Sequence, residues 1–156
     1  MSLSSRVSRL STSVALLLVV VLALATHAVA DVPSARDGRY MTCNTTVMNI
    51  PDDVPGGITS GADLTHYSFV GEVHVYVEIE HPYVGDLTVD ITSPGGTTVR
   101  LHNRTGYGDD DIIGWYDDEL SVDGPGTLAD FYGEQALGTW TLSVADTASG
   151  DAGQLI

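Results

Sequence analysis

The chain has 156 residues, with 21 Asp and Glu against six Lys and Arg, giving a formal charge of −15 at neutral pH. Such a surface repels nucleic acid and anionic membranes, both of which are bound through basic patches. An apolar content of 43% and clean strand patterns exclude a disordered chain, and a single cysteine, Cys43, excludes an internal disulfide.

The first thirty residues read as a secretory leader. Arg6 and Arg9 supply a positive start, Val14 to Ala25 is an unbroken apolar run of twelve, and Ala28-Val29-Ala30 is a small-residue cleavage site before Asp31. Twelve apolar residues fall short of the ~18–20 that a bilayer span needs. Cleavage after Ala30 is therefore expected, with export to the extracellular space, periplasm or cell surface and no stable membrane insertion. The remaining 126 residues suit one domain. Losing Arg6 and Arg9 takes the charge from −15 to −17 and leaves four Arg and no Lys.

Residues 31–49 lack periodicity and read as a linker or N-terminal extension holding a small, partly buried Cys43. Asn44-Thr45-Thr46 and Asn103-Arg104-Thr105 are glycosylation sequons, meaningful in a eukaryotic source. From residue 50 onward the chain is almost wholly β. "NIPDDVPGG" (49–57) is a turn. Val73, Val75, Val77 and Ile79 alternate with His74, Tyr76, Glu78 and Glu80, predicting a strand over about 72–80. Leu87, Val89 and Ile91 predict the next strand, and "SPGG" (93–96) predicts a type II turn with positive φ at Gly95 before Val99 and Leu101 resume. Residues 103–126 read as one long loop with seven carboxylates between Asp109 and Asp123. "GTWTLSVAD" (138–146) closes the series as a half-buried strand followed by an acidic, Gly-rich turn. The pattern predicts two antiparallel sheets packed face to face.

Catalytic signatures are missing. There is no G-x-S-x-G elbow and no H-E-x-x-H, and His66, His74, His81 and His102 read as exposed or edge histidines of a sandwich. No catalytic residue is assigned, and no cofactor apart from a metal ion. Calcium is the ligand the acidic loops suit, because it takes six to eight oxygen ligands from flexible carboxylates. The candidate ligands are Asp109, Asp110, Asp111, Asp117 and Asp118 in one loop and Asp146 and Asp151 in another. An EF-hand is excluded, since counting from Asp109 puts Ile113 and Leu120 at ligand positions. The competing reading of these carboxylates is a solvated acidic surface.

Four separated blocks resemble the P domain, or P/Homo B domain, that accompanies the catalytic domain in kexin- and furin-like proprotein convertases and in bacterial subtilisin-like serine proteases. They are "IPDDVPGGITS" (50–60), "HPYVGDLTVDITSPGGTTVRL" (81–101), "WYDD" (115–118) and "FYGEQALGTWTLSVADTASGDAGQL" (131–155). The resemblance runs over 50–156 and implies a jelly-roll-like antiparallel β-sandwich of the galactose-binding-like class. It also implies a strand opening at Asp86 and Trp140 in the core. Relatives continue past the last turn with a further strand, so the final strand is expected to be lost or reduced to Gln154-Leu155-Ile156, leaving an unpaired sheet edge. The implied role is a non-catalytic accessory that stabilises or regulates a subtilisin-like protease domain, in cis or in trans, with calcium binding reported for some relatives. The alternative is a secreted carbohydrate- or surface-binding module, with Tyr83, Tyr107, Trp115 and Tyr116 available to stack on a sugar ring.

Overall fold

The computed structural model describes residues 39–156 and, for residues 15–19, the backbone alone. The remainder of the expected leader, its cleavage point after Ala30 and residues 31–38 of the expected linker lie outside the described residues.

Among the described residues ten strands form two sheets. The first sheet runs β2 (Tyr40–Thr42), β1 (Ala15–Val19), β5 (Glu72–Glu80), β10 (Gly153–Leu155) and β3 (Met48–Ile50), with β8 (Ile112–Trp115) on the other side of β5. The second runs β4 (Ile58–Leu64), β9 (Gly138–Asp146), β6 (Leu87–Thr92) and β7 (Thr98–Asn103). All pairings are antiparallel except those of β1, which lies parallel to β2 and to Glu72–Tyr76 of β5. The all-β sandwich is as the alternation requires. Every second residue of β5, β6 and β9 is buried, and these residues meet between the sheets.

Trp140 stands at the centre of that core, 1% exposed. Its ring meets Phe131 edge to face at 5.1 Å, and its indole N–H donates to Ala136 O at 3.0 Å. The hydrogen bond supplies the polar partner that a buried tryptophan needs. Gly57 shows how closely the turn before β4 lies against β9. Its φ is +53°, and a Cβ there would sit 2.1 Å from Val144 O, so only glycine fits.

Several local expectations change. The stretch 31–49 carries β2 and β3, each three residues long and therefore too short to show alternation. β3 also delivers Ile50 to the core. The long loop 103–126 contains β8, which pairs with Tyr76–Ile79 and buries Ile112 and Gly114. The "SPGG" turn closes with Gly96 N–H donating to Ser93 O at 2.9 Å, but the positive φ (+91°) belongs to Gly96 and not to Gly95. That is a turn followed by a left-handed glycine, the three-residue hairpin form. Asp86 ends a short 3-10 turn, Val84–Asp86, and β6 begins one residue later. The last strand is β10, held between β3 and β5, with Ile156 N–H donating to Glu78 O at 2.9 Å.

Candidate functional site

The acidic loop 104–111 packs against the β5–β6 corner. Val84 N–H donates to Asp109 O and Gly85 N–H to Tyr107 O, while Asp111 N–H donates to His81 O and Asp109 N–H to Gly106 O. Gly85 permits the approach, because a Cβ there would lie 2.8 Å from Tyr107 O. Arg104, Tyr107 and Asp111 take positive φ, so the loop is bent sharply at three non-glycine positions.

His81 is the hub of this corner and is buried, contrary to the edge position expected for it. Its backbone N–H donates to Asp111 Oδ1 at 2.9 Å, and its Nε2 lies 3.2 Å from Asp146 Oδ2, both side chains having no exposure. The carboxylate requires the proton to sit on Nε2. Nδ1 then accepts from Tyr83 N–H in the neutral ring, or donates to Tyr83 O in the charged one. Asp146 Oδ1 accepts Ala148 N–H at 3.1 Å, which fixes the turn after β9. The pair thus ties the acidic loop to the end of the second sheet. The two partners lie 65 residues apart in sequence.

His102 is buried as well, also against expectation. Its Nε2 faces Val84 O at 2.9 Å and its Nδ1 faces Asp123 Oδ2 at 3.7 Å. Asp123, absent from the candidate ligands, accepts from Asn103 N–H at 2.8 Å and from the Thr105 hydroxyl at 2.7 Å. Beside it stands Tyr116, 1% exposed, whose hydroxyl is buried without a hydrogen-bond partner. Burial, and then the charge of Asp123, push the Tyr116 phenol above its ordinary value. Tyr116, Asp109, Asp111, Asp123 and His102 line one cavity of about 220 Å³.

Of the seven expected calcium ligands, Asp109, Asp110 and Asp111 stand together and exposed on the bent loop. Asp109 and Asp111 face the cavity just described, and Asp110 with Asp111 lines a larger one of about 580 Å³ beside Glu80 and His81. Asp117 and Asp118 lie elsewhere, on a third cavity beside Glu72, His74 and Tyr132. Asp118 Oδ2 is 3.7 Å from His74 Nδ1. Asp146 is engaged by His81, and Asp151 is half-buried in the C-terminal turn. Among the described residues no three His, Cys, Asp or Glu side chains converge closely enough to chelate an ion directly.

The aromatic candidates separate in the same way. Tyr107 is 81% exposed and Tyr83 is 38% exposed, but Tyr116 is sealed in the core and cannot stack on a sugar. Trp115 is half-buried and leans edge-on against Tyr76 at 5.2 Å. Cys43 is exposed and unpaired, not partly buried. Both sequon asparagines are engaged, Asn44 with Gly61 O and Asn103 with Gly124 O.

Residues 70–156 match the family described as the proprotein convertase P-domain. Over 89 residues the chain is 44% identical to a calcium-dependent protease of Nostoc sp., a stretch that is 55% of this chain and 13% of that protein. Over 116 residues it is 34% identical to leupeptin-inactivating enzyme 1 of Streptomyces exfoliatus, covering 72% of this chain and 24% of the relative. A human relative, proprotein convertase subtilisin/kexin type 5, is 33% identical over 84 residues, 54% of this chain and 4% of its own length. The crystal structure of the Aeromonas sobria serine protease with its chaperone shares the fold. Its TM-score is 0.51 at 21% identity, over 71% of this chain and 25% of that one. The matched stretch spans no more than about a quarter of any of these proteins.

Proposed function

Because the chain belongs to the proprotein convertase P-domain family, we propose that it is a non-catalytic companion of a subtilisin-like serine endopeptidase, acting in cis in a longer polypeptide or in trans. Its role is to stabilise or regulate a catalytic domain on the outer side of the membrane, reached through the expected leader. The observation that carries this reading is the family match over 70–156, on a two-sheet fold shared with a segment of a serine protease.

Two of the four described histidines are withdrawn from solvent. A nucleophilic mechanism needs a base that can reach a substrate. Of the two buried histidines, His81 is fully enclosed against Asp146, and His102 is held by Val84 O. Calcium is the proposed ligand, with the carboxylates of Asp109, Asp110, Asp111, Asp117, Asp118, Asp146 and Asp151 as the set from which its contacts are drawn. The similarity to a calcium-dependent protease supports the metal.

A chimera tests the accessory role. The matched 89 residues of the Nostoc protease are deleted, or replaced by the corresponding residues of this chain, and proteolysis and thermal half-life are measured. The replacement is expected to restore most of what the deletion loses. A chimera no better than the deletion would overturn the reading, as would peptide hydrolysis by the purified chain that a single His or Ser substitution abolishes.

A further inference from the structure

We propose that loss of the leader opens a slot one strand wide between β2 and β5, and that the slot takes an extended segment of a partner polypeptide, apolar at every second position with Lys or Arg between. This rests on the cleavage after Ala30 expected from the sequence.

The strand that fills the slot belongs to the segment due for removal. β1 pairs Leu16 to Leu18 with Tyr40–Thr42 of β2, and Ala15 to Val19 with Glu72–Tyr76 of β5. Among the described residues nothing else pairs with Glu72–Tyr76 on this side, because β10 meets β5 farther along, at Ile79 and Glu80. Without β1 the two rails stand two strand spacings apart, about 9–10 Å. Both rails are held from elsewhere. β5 keeps its pairing with β8. The Tyr40 ring stacks on His66 at 4.4 Å, and the Thr42 hydroxyl donates to Asp63 O at 3.0 Å.

The groups left unpaired on β5 can be named. Tyr116 N–H donates to Val75 O on the β8 side, and Ile156 N–H donates to Glu78 O on the other. Backbone groups point alternately to the two sides of a strand, so the N–H and C=O of Glu72, His74 and Tyr76 face the slot. Such an edge is a template for another chain, the strand-addition mode of peptide recognition. Val73 and Val75, 3% and 0% exposed, set the inward face of the slot, so occupant residues beside them must be apolar.

The outward face sets the charge. Glu72 Oε1 lies 3.4 Å from His74 Nε2, and Asp118 Oδ2 lies 3.7 Å from His74 Nδ1. Neither β2 nor β5 carries Lys or Arg. Outward residues of the occupant therefore meet carboxylates, which favours basic side chains. The same charge disfavours a second copy of this chain, since −15 less the two lost Arg puts −17 against −17.

The test is amide hydrogen exchange by NMR on the protein exported through its own leader, beside the full chain. Mass spectrometry reads the N-terminus of the exported product. The probe is a short capped peptide of Leu and Val alternating with Lys. One control peptide replaces Lys by Glu, and another gathers the same residues into an apolar half and a basic half. The N–H groups of Val75 and Val77, which face β8, report the folded sheet. Those of His74 and Tyr76 are expected to exchange slowly in the full chain, fast in the processed protein, and slowly again with the Lys peptide. Neither control should protect them, and Glu72→Gln should weaken binding of the Lys peptide several-fold. If the processed protein is unfolded alone, the Lys peptide is expected to restore protection at Val75 and Val77, and failure to do so overturns the proposal. Protection at His74 and Tyr76 without peptide overturns the open slot, and its growth with protein concentration assigns the edge to a second copy instead. An open edge that the Lys peptide leaves unprotected, or that a control peptide protects equally, overturns the stated partner. A product that keeps residues 15–19 refutes the leader reading and the proposal with it, whereas a product beginning at Asp31 with a closed edge refutes the slot alone.

Discussion

Replacing His81 with alanine removes the side-chain partner of Asp146 Oδ2 and leaves the backbone bonds of the corner in place, including His81 N–H to Asp111 Oδ1 at 2.9 Å. Asp146 is then a fully buried carboxylate whose remaining bond is from Ala148 N–H at 3.1 Å. Breaking a buried pair from this side costs about 3–5 kcal/mol, because the surviving charge has no compensation. A domain of this size is stable by about 5–15 kcal/mol, so the variant should lose about a fifth or more of its stability and about 10–15 °C in Tm. With the ring neutral, the opposite change, Asp146→Ala, strands an imidazole N–H and not a charge, for about 1–3 kcal/mol. The double variant should be more stable than His81→Ala alone. His81→Gln, whose amide nitrogen falls near the place of Nε2, should recover part of the loss. Urea unfolding followed by tryptophan fluorescence gives all four values at constant m. A His81→Ala loss under 1 kcal/mol, or losses that simply add in the double variant, would refute the assignment of a coupled buried pair.

Two further outcomes follow from the core. Trp140→Ala should lose about 3–5 kcal/mol through cavity formation, since the ring is 1% exposed and packs on Phe131; calorimetry showing less than 1 kcal/mol would mean that Trp140 does not centre the core. Native Tyr116 stays neutral at a pH where the unfolded phenol, with its ordinary value of 10.0, ionises. Its contribution is therefore intact below pH 10 and declines above it by up to ~1.4 kcal/mol per pH unit, and Tyr116→Phe should flatten the alkaline limb of the stability profile.

What the sequence disclosed was governed by the length of each signal. β5 and β9 each run nine residues, with the inward set of one built from Val73, Val75, Val77 and Ile79, so the alternation is plain. β2, β3 and β10 have three residues apiece, and β8 has four with a buried glycine at its third position. β8 and β10 exist because the long β5 offers them an edge, and β3 pairs in turn with β10, tertiary causes that local pattern does not carry. The candidate site divides the same way. Asp109 to Asp111 are visible as a run, and the structure keeps them together. Asp123 and Tyr116 gain their character from the fold: one is held by Asn103 and Thr105 from the end of β7 and the loop after it, the other is sealed under the loop. The buried state of His81 was hidden for the same reason, since Asp146 reaches it from the far end of β9.

The acidity of the chain has a structural use beyond surface charge. With Cys43 unpaired, the turns have no disulfide to close them, and carboxylates take that place by accepting hydrogen bonds across loops. Glu134 receives the hydroxyls of Ser93, at 2.5 Å, and Thr97 from the turn between β6 and β7, and Glu119 receives Trp115 N–H at 3.0 Å. Asp130 closes the short turn Leu128–Phe131 with both the N–H and the hydroxyl of Thr127, and Asp52 holds Gly150 N–H 98 residues away. Arg100 clasps Asp90 through two nitrogens, at 2.8 and 2.9 Å, and that bonding raises the guanidinium further above its ordinary value. A carboxylate offers two oxygens with about four lone pairs, so one side chain can satisfy two donors from different segments. The acid set therefore splits into two populations. Those facing loop amides and hydroxyls, Asp111 among them through His81 N–H, set the shape of the turns, and others on the same bent loop, Asp109 and Asp110, stand exposed. That division explains how a domain with so large a charge excess keeps its loops fixed.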